Sequence, residues 1–112
     1  MNLEIRWSAP ALLSHAEVLE YTVREHGEKQ ALKMRKQIMA AIQRLSCSPF
    51  SAQIDPISEI IGIEFRGLLV MKKIKIIYSV TDNTLNIEYI KNTYLSDLTM
   101  IERMGYDSLL DK

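Results

Sequence analysis

The stretch EFRGLLVMKKIKIIYSVTDNTLNIEYIKNTY, residues 64–94, decides the fold. It reads as three consecutive antiparallel strands. KIKIIYSV (73–80) and TLNIEYI (84–90) are rich in β-branched and aromatic residues, and the turn-forming run Thr81-Asp82-Asn83-Thr84 lies between them. A two-residue turn at Asp82-Asn83 sets Val80 opposite Leu85, Tyr78 opposite Ile87 and Ile76 opposite Tyr89. The pleat then sends these six side chains to one face, and Lys73, Lys75, Asn92 and Tyr94 to the other. A turn at Met71-Lys72 adds Phe65 and Leu69 to the apolar face and Arg66 to the lysines. The expected sheet has one apolar side to be covered and one cationic side left free.

Upstream, LEIRW (3–7) alternates apolar and polar residues as a half-buried strand does. Ser8 stands where a helix N-cap belongs, with Pro10 in the first turn. Leu12, Ala16, Leu19 and Val23 recur at helical spacing up to His26, and Gly27 ends the helix. A second helix, roughly 28–46, has the apolar stripe Ala31, Met34, Ile38, Ala41, Ile42 and Leu45. The short join at Gly27 implies an antiparallel helical hairpin. Residues 50–62 read as a connecting loop with an irregular turn of helix. Ser96 caps a short last helix with Asp97 in its first turn, Leu98 and Ile101 on one side, Gly105 as the stop, and a tail to Lys112. The order is β-α-α-β-β-β with a short C-terminal helix: an α+β fold, its hairpin packed on one face of a small antiparallel sheet.

The 112 residues amount to one domain, with 47% hydrophobic and 25% charged residues. Fourteen acidic and fourteen basic residues give no net charge, which argues against bulk attraction to nucleic acid. The charge is unevenly placed, since residues 29–91 hold ten bases against five acids. Cys47 is alone, so no disulfide framework exists and a reducing cytoplasm is expected. Asn2-Leu3-Glu4 lacks the basic-then-apolar pattern of a signal peptide, and no apolar run reaches the ~20 residues of a membrane span. His15 and His26 are isolated, so neither a metal nor a cofactor is expected.

These patterns resemble the RelE/ParE superfamily of bacterial type II toxin–antitoxin toxins over roughly residues 3–98. IRWSAPA (5–11) looks like the family's opening strand and helix start. FRGLLV…KIKIIYSV resembles its arginine-bearing strand and the basic, aromatic strand that follows, and VTDNTLNIEYI resembles its last hairpin. Leu45-Ser46-Cys47-Ser48-Pro49 loosely matches the family's helix exit. The chain departs from the family at Asn92-Thr93-Tyr94-Leu95-Ser96-Asp97, where an arginine and a proline are missing. It departs again at Met71-Lys72-Lys73, which replaces a common glycine.

The resemblance implies an antitoxin partner, alone or in a hetero-oligomer, with a homodimer as the other assembly. For members that cleave mRNA on the ribosome it implies metal-independent endoribonuclease chemistry, and Arg66, Lys75 and Tyr94 match the catalytic positions. Lys72, Lys73 and Lys91 are the candidate nucleic-acid contacts. Cleavage by 2′-OH attack needs a base, cations for the phosphorane charge and an acid for the leaving oxygen. The planar fork of Arg66 suits two phosphate oxygens, Tyr94 offers an acid or a stacking platform, and Glu88 is a candidate base or a partner of Arg66. Three functions follow: translation inhibition by mRNA cleavage, ParE-like inhibition of DNA gyrase without catalysis, or antitoxin binding alone. Solvated strand charges and a packed Tyr94 are the plain alternative for every one of these side chains.

Overall fold

The computed structural model describes residues 2–106; the expected tail at 107–112 lies outside them. The elements run β1 (Glu4–Trp7), α1 (Ala9–His26), α2 (Glu28–Cys47), β2 (Gln53–Ile54), α3 (Ile57–Ile61), β3 (Arg66–Val70), β4 (Ile74–Thr81), β5 (Thr84–Asn92) and α4 (Asp97–Arg103). The architecture is the α+β one expected. A single sheet has the order β1-β5-β4-β3-β2, with β1 parallel to β5 and the other pairs antiparallel. One element departs from the sequence reading: Gln53–Ile54 is a two-residue edge strand within the segment expected to be loop.

Local chemistry accounts for the boundaries. The Ser8 hydroxyl accepts from the Ala11 N–H at 3.1 Å and donates to the Glu88 carbonyl at 3.1 Å, so the cap of α1 also anchors it to β5. Gly27, at φ 90°, sends its N–H to the Val23 carbonyl and lets α2 begin one residue later. Ser96 caps α4 by accepting from the Thr99 N–H.

The helical hairpin covers one sheet face. Ile38, Ala41, Ile42 and Leu45 of α2 pack there with Ile74, Ile76, Tyr78, Leu85 and Ile87. The α2 stripe is buried as expected, but the α1 stripe is not the expected one. Ala11, Ser14, Val18 and Thr22 face inward, while Leu12, Ala16 and Val23 are exposed. Close approach decides this: the Ser14 hydroxyl accepts from the Ile90 N–H at 2.9 Å, and the Thr22 hydroxyl lies 3.5 Å from the Met34 sulfur. Larger side chains at those two positions would hold α1 off the sheet.

The opposite sheet face is covered too, which corrects the expectation of a free cationic side. Ile57 and Ile61 of α3 and Met100 and Ile101 of α4 pack with Phe65, Ile77 and Tyr89 in a second, smaller core. Ile101 is buried as expected, with Met100 beside it, whereas Leu98 is exposed. The central strand β4 is therefore sandwiched, with Ile74, Ile76 and Tyr78 on one side and Ile77 on the other.

Two register details set which side chain meets which layer. The Asp82-Asn83 turn is as expected, with Val80 opposite Leu85 and Tyr78 opposite Ile87. Between Tyr78 and Ile77 the ladder then slips, so Ile77 pairs with Tyr89 and Glu88 is an extra residue on β5. Tyr89 thereby moves to the second face, where it joins the smaller core. The other slip is at the β3–β4 turn. Met71 and Lys72 both take positive φ, and the Lys73 N–H closes on the Val70 carbonyl, but pairing resumes only at Ile74. Lys73 is one residue more than a two-residue turn needs, and it turns all of β3 over relative to β4.

Candidate functional site

That slip separates the expected site. Arg66 pairs with Tyr78 and shares the hairpin side of the sheet, whereas Lys75 pairs with Leu69 on the other side. Arg66 is also engaged elsewhere. Its Nη1 donates to the Ala52 carbonyl at 2.7 Å, its Nη2 meets a Glu64 carboxylate oxygen at 3.0 Å, and its guanidinium lies 5.1 Å from the centre of the Phe50 ring. The Tyr78 hydroxyl donates to the Pro49 carbonyl at 2.7 Å, so both side chains hold the segment that leaves α2. Burial pushes the Tyr78 phenol above its ordinary pKa, against the opposing pull of a backbone hydrogen bond and the Arg66 charge.

Lys75 and Lys91 stand directly opposite each other on β4 and β5. Each has its own carboxylate. The Lys75 ammonium meets Asp55 at 2.8 Å and the Lys91 ammonium meets Asp97 at 2.7 Å. Asp55 is only 2% exposed at its side chain and also accepts from the Ile57 N–H, so it both starts α3 and fixes Lys75. Gly67 makes room for this pair, since a Cβ there would sit 2.8 Å from Lys75 Cδ and 2.9 Å from Asp55 Oδ2. The pairs pin α3 and α4 onto the sheet and cancel the cations that sequence reading gathered there.

Tyr94 is 94% exposed, just past the end of β5. It lines an open groove of about 420 Å³ together with Tyr21 and Arg24 of α1, Tyr89 of β5 and Arg103 of α4. Arg103 reaches the Tyr89 hydroxyl at 3.4 Å and Glu17 at 3.5 Å across this groove. Lys72 and Lys73 are exposed in the β3–β4 turn. Glu88 accepts from the Ser79 hydroxyl at 2.7 Å and is not the partner of Arg66. His15 stacks on Trp7 with ring centres 5.1 Å apart, next to β1 at the far edge of the sheet from β3. Burial, and then Arg35, lower its pKa below the ordinary 6.5.

No family model and no curated protein sequence matches the chain. Among solved structures, a chain of "Chromosomal ParDE TA system from P. aeruginosa" superposes with a TM-score of 0.66 at 20% identity, covering 80% of this chain and 95% of that one. The chain shares the fold of that ParDE-system chain. At this identity the likeness is one of fold.

On this scaffold the structure brings together Lys75 with Lys91, and Tyr94 with Tyr21 and Arg24, but it does not bring Arg66 to either group. The aromatic and basic lining contributed by α1 escaped sequence reading. Tyr21 and Arg24 lie three residues apart on one helix, which is a groove-facing pattern only once the inward stripe of α1 is known. No helix among the described residues is long and apolar enough to cross a membrane.

Proposed function

We propose that this protein is the toxin of a two-gene toxin–antitoxin module and that it acts by binding its target, in the manner of a ParE-like DNA gyrase inhibitor, without cleaving RNA. The observation that carries the second half is the opposite facing of Arg66 and Lys75. A phosphorane has to be held by cations converging on one point, with an acid in reach of the leaving oxygen. Here the guanidinium is spent on Ala52 and Glu64, and the two lysines on Asp55 and Asp97. The fold shared with a chain of a ParDE system supports the first half, and with it an antitoxin as the protein partner.

In this reading Tyr94 is a recognition residue. A fully exposed tyrosine beside Tyr21 and Arg24 gives the large, rigid, half-polar surface on which protein interfaces concentrate their energy. The deciding experiment is controlled induction of the protein with three readouts: growth, transcript ends and supercoiling of a reporter plasmid. Growth arrest with loss of gyrase-dependent supercoiling and intact transcripts is expected. Codon-phased transcript cuts with normal supercoiling would reject the binding mechanism, and unimpeded growth would reject the toxin reading altogether.

A further inference from the structure

β1 forms an outer edge of the sheet. It pairs with β5, and among the described residues no strand lies beyond it. The parallel ladder to β5 fixes which main-chain groups are left over. The Glu4 N–H goes to the Asn83 carbonyl and the Ser8 N–H to the Ile87 carbonyl, so the even residues of this stretch turn their backbone groups toward β5. Ile5 and Trp7 therefore direct N–H and C=O outward, as Leu3 does its carbonyl. The Leu3 N–H is already taken by the Ser46 carbonyl at 2.9 Å.

The side chains divide by the same alternation. Leu3, Ile5 and Trp7 pack, partly buried, against the core under the helical hairpin. Glu4 and Arg6 are exposed on the other side of the strand, and among the described residues neither has an ion-pair partner. β1 also lacks the usual devices that blunt an edge, having no proline, no lysine and no slip in its register with β5.

The stretch LEIRW is self-complementary about its own midpoint. An antiparallel pairing of two copies, with a two-fold axis through Ile5, sets Ile5 on Ile5, Glu4 on Arg6, Arg6 on Glu4 and Leu3 on Trp7. In that register the two Ile5 residues exchange both of their outward backbone bonds, and each Trp7 N–H meets the free Leu3 carbonyl of the other copy. The two neighbouring registers that keep the pleat in phase set Glu4 on Glu4 or Arg6 on Arg6, and like charges directly opposite are destabilising. Charge, backbone direction and apolar side thus select one register.

We infer that β1 is the contact through which a second copy of this chain docks, joining two five-stranded sheets into one across a two-fold axis. A strand of another protein would meet the same backbone groups, but here the sequence itself supplies the matching charges for a second copy. The paired stretch is about 13 Å long, short for a permanent dimer, so association is expected at micromolar concentrations. Because β5 runs parallel to β1, the two Tyr94 grooves open toward opposite ends of the joined sheet and both stay free. The inference stands apart from the toxin reading and from the mode of action.

The test is sedimentation velocity of the intact protein across the micromolar range, with reductant present so that the exposed Cys47 does not link copies. The parent is expected to pass from monomer to dimer as concentration rises. Glu4→Arg and Arg6→Glu each place like charges on both sides of the axis, and each is expected to raise the dimer Kd at least about tenfold. The combined swap, Glu4→Arg with Arg6→Glu, restores opposite charges and should restore the dimer. An equimolar mixture of the two single variants should form a mixed dimer, because one copy then brings two arginines and the other two glutamates. Both positions are exposed, so the circular dichroism spectra are expected to match the parent's. Trp7, the single tryptophan, gives a reading that needs no variant. Leu3 of the second copy covers it, so its emission should move to the red and become more open to iodide as the parent is diluted. A parent that stays monomeric, or whose Trp7 emission ignores dilution, would overturn the inference. A dimer that survives both single variants, or folded single variants that swap and mixture fail to rescue, would overturn it in favour of another face.

Discussion

Arg66 and Tyr78 stand opposite each other on β3 and β4 and clamp the same segment, one through the Ala52 carbonyl and the other through that of Pro49, both at 2.7 Å. The residue best suited by type to grip a phosphate is therefore a structural brace for the chain between α2 and β2.

Arg66→Ala is expected to lower stability by about 1.5–3 kcal/mol, the range for a hydrogen bond to a charged group, and Tyr78→Phe by about 1–2 kcal/mol. Because both hold one segment, the double variant should lose less than the sum. Denaturant unfolding of the four proteins measures this. Additive losses would mean the two side chains are independent and the clamp is not a unit. Any drop in growth arrest caused by Arg66→Ala should track the loss of folded protein.

Gly67→Ala addresses the other face. The new methyl would meet Lys75 Cδ and Asp55 Oδ2 at under 3 Å, and both atoms belong to a formed ion pair. The pair must part or β3 must shift, at about 1–3 kcal/mol. Adding Lys75→Ala relieves the contact with the lysine but strands a buried Asp55 carboxylate, so that double variant should remain destabilised. Thermal unfolding of the single and double variants distinguishes this from simple crowding, in which the truncation would restore stability.

How far the sequence revealed this arrangement depends on the kind of signal. Caps and turns are local, and Ser8, Gly27, Asp82-Asn83 and Ser96 all do what their residue types suggest. Facing is not local. In β4, Ile74, Ile76, Ile77 and Tyr78 are all buried because layers cover both sides, so alternation there carries no phase. One surplus residue, Lys73, then reverses β3, and another, Glu88, reverses the end of β5. The α1 stripe failed for a related reason: Ser14 is buried by accepting from the Ile90 N–H of β5 and Thr22 by turning its hydroxyl back onto the Val18 carbonyl beside Met34 of α2, and neither neighbour is visible in the spacing of α1. The candidate site inherited these errors, because it was built by assigning Arg66 and Lys75 to one face.

Tyr94 separates surface recognition from acid chemistry. Tyr94→Phe keeps the ring and removes the proton, whereas Tyr94→Ala removes both. If the exposed ring is a contact surface, the first variant should arrest growth as the parent does and the second should arrest it weakly, with at least 1 kcal/mol of target affinity lost, roughly. Growth curves at matched expression, with target affinity measured alongside, check this. Loss of function in Tyr94→Phe equal to that in Tyr94→Ala would restore the phenol to a chemical role.

The tyrosines and His15 should bound stability at the two ends of the pH range. Burial is the main cause raising Tyr78 and Tyr106 above the ordinary 10.0, so the folded protein holds those protons more tightly than the unfolded chain. Their contribution is complete below pH 10.0 and is lost as pH climbs through the folded values; Tyr78→Phe should flatten part of that alkaline fall. His15 behaves in the reverse sense. Its folded pKa lies below 6.5 because burial against Trp7, and then the Arg35 charge, disfavour the imidazolium. Its contribution is complete above pH 6.5 and is lost as pH falls through the depressed folded value. His15→Phe keeps an aromatic ring beside Trp7 and cannot take up a proton. Unfolding midpoints from pH 7 downward should therefore fall less steeply in that variant than in the parent, and parallel curves would show that His15 stays equally easy to protonate in the folded and unfolded states.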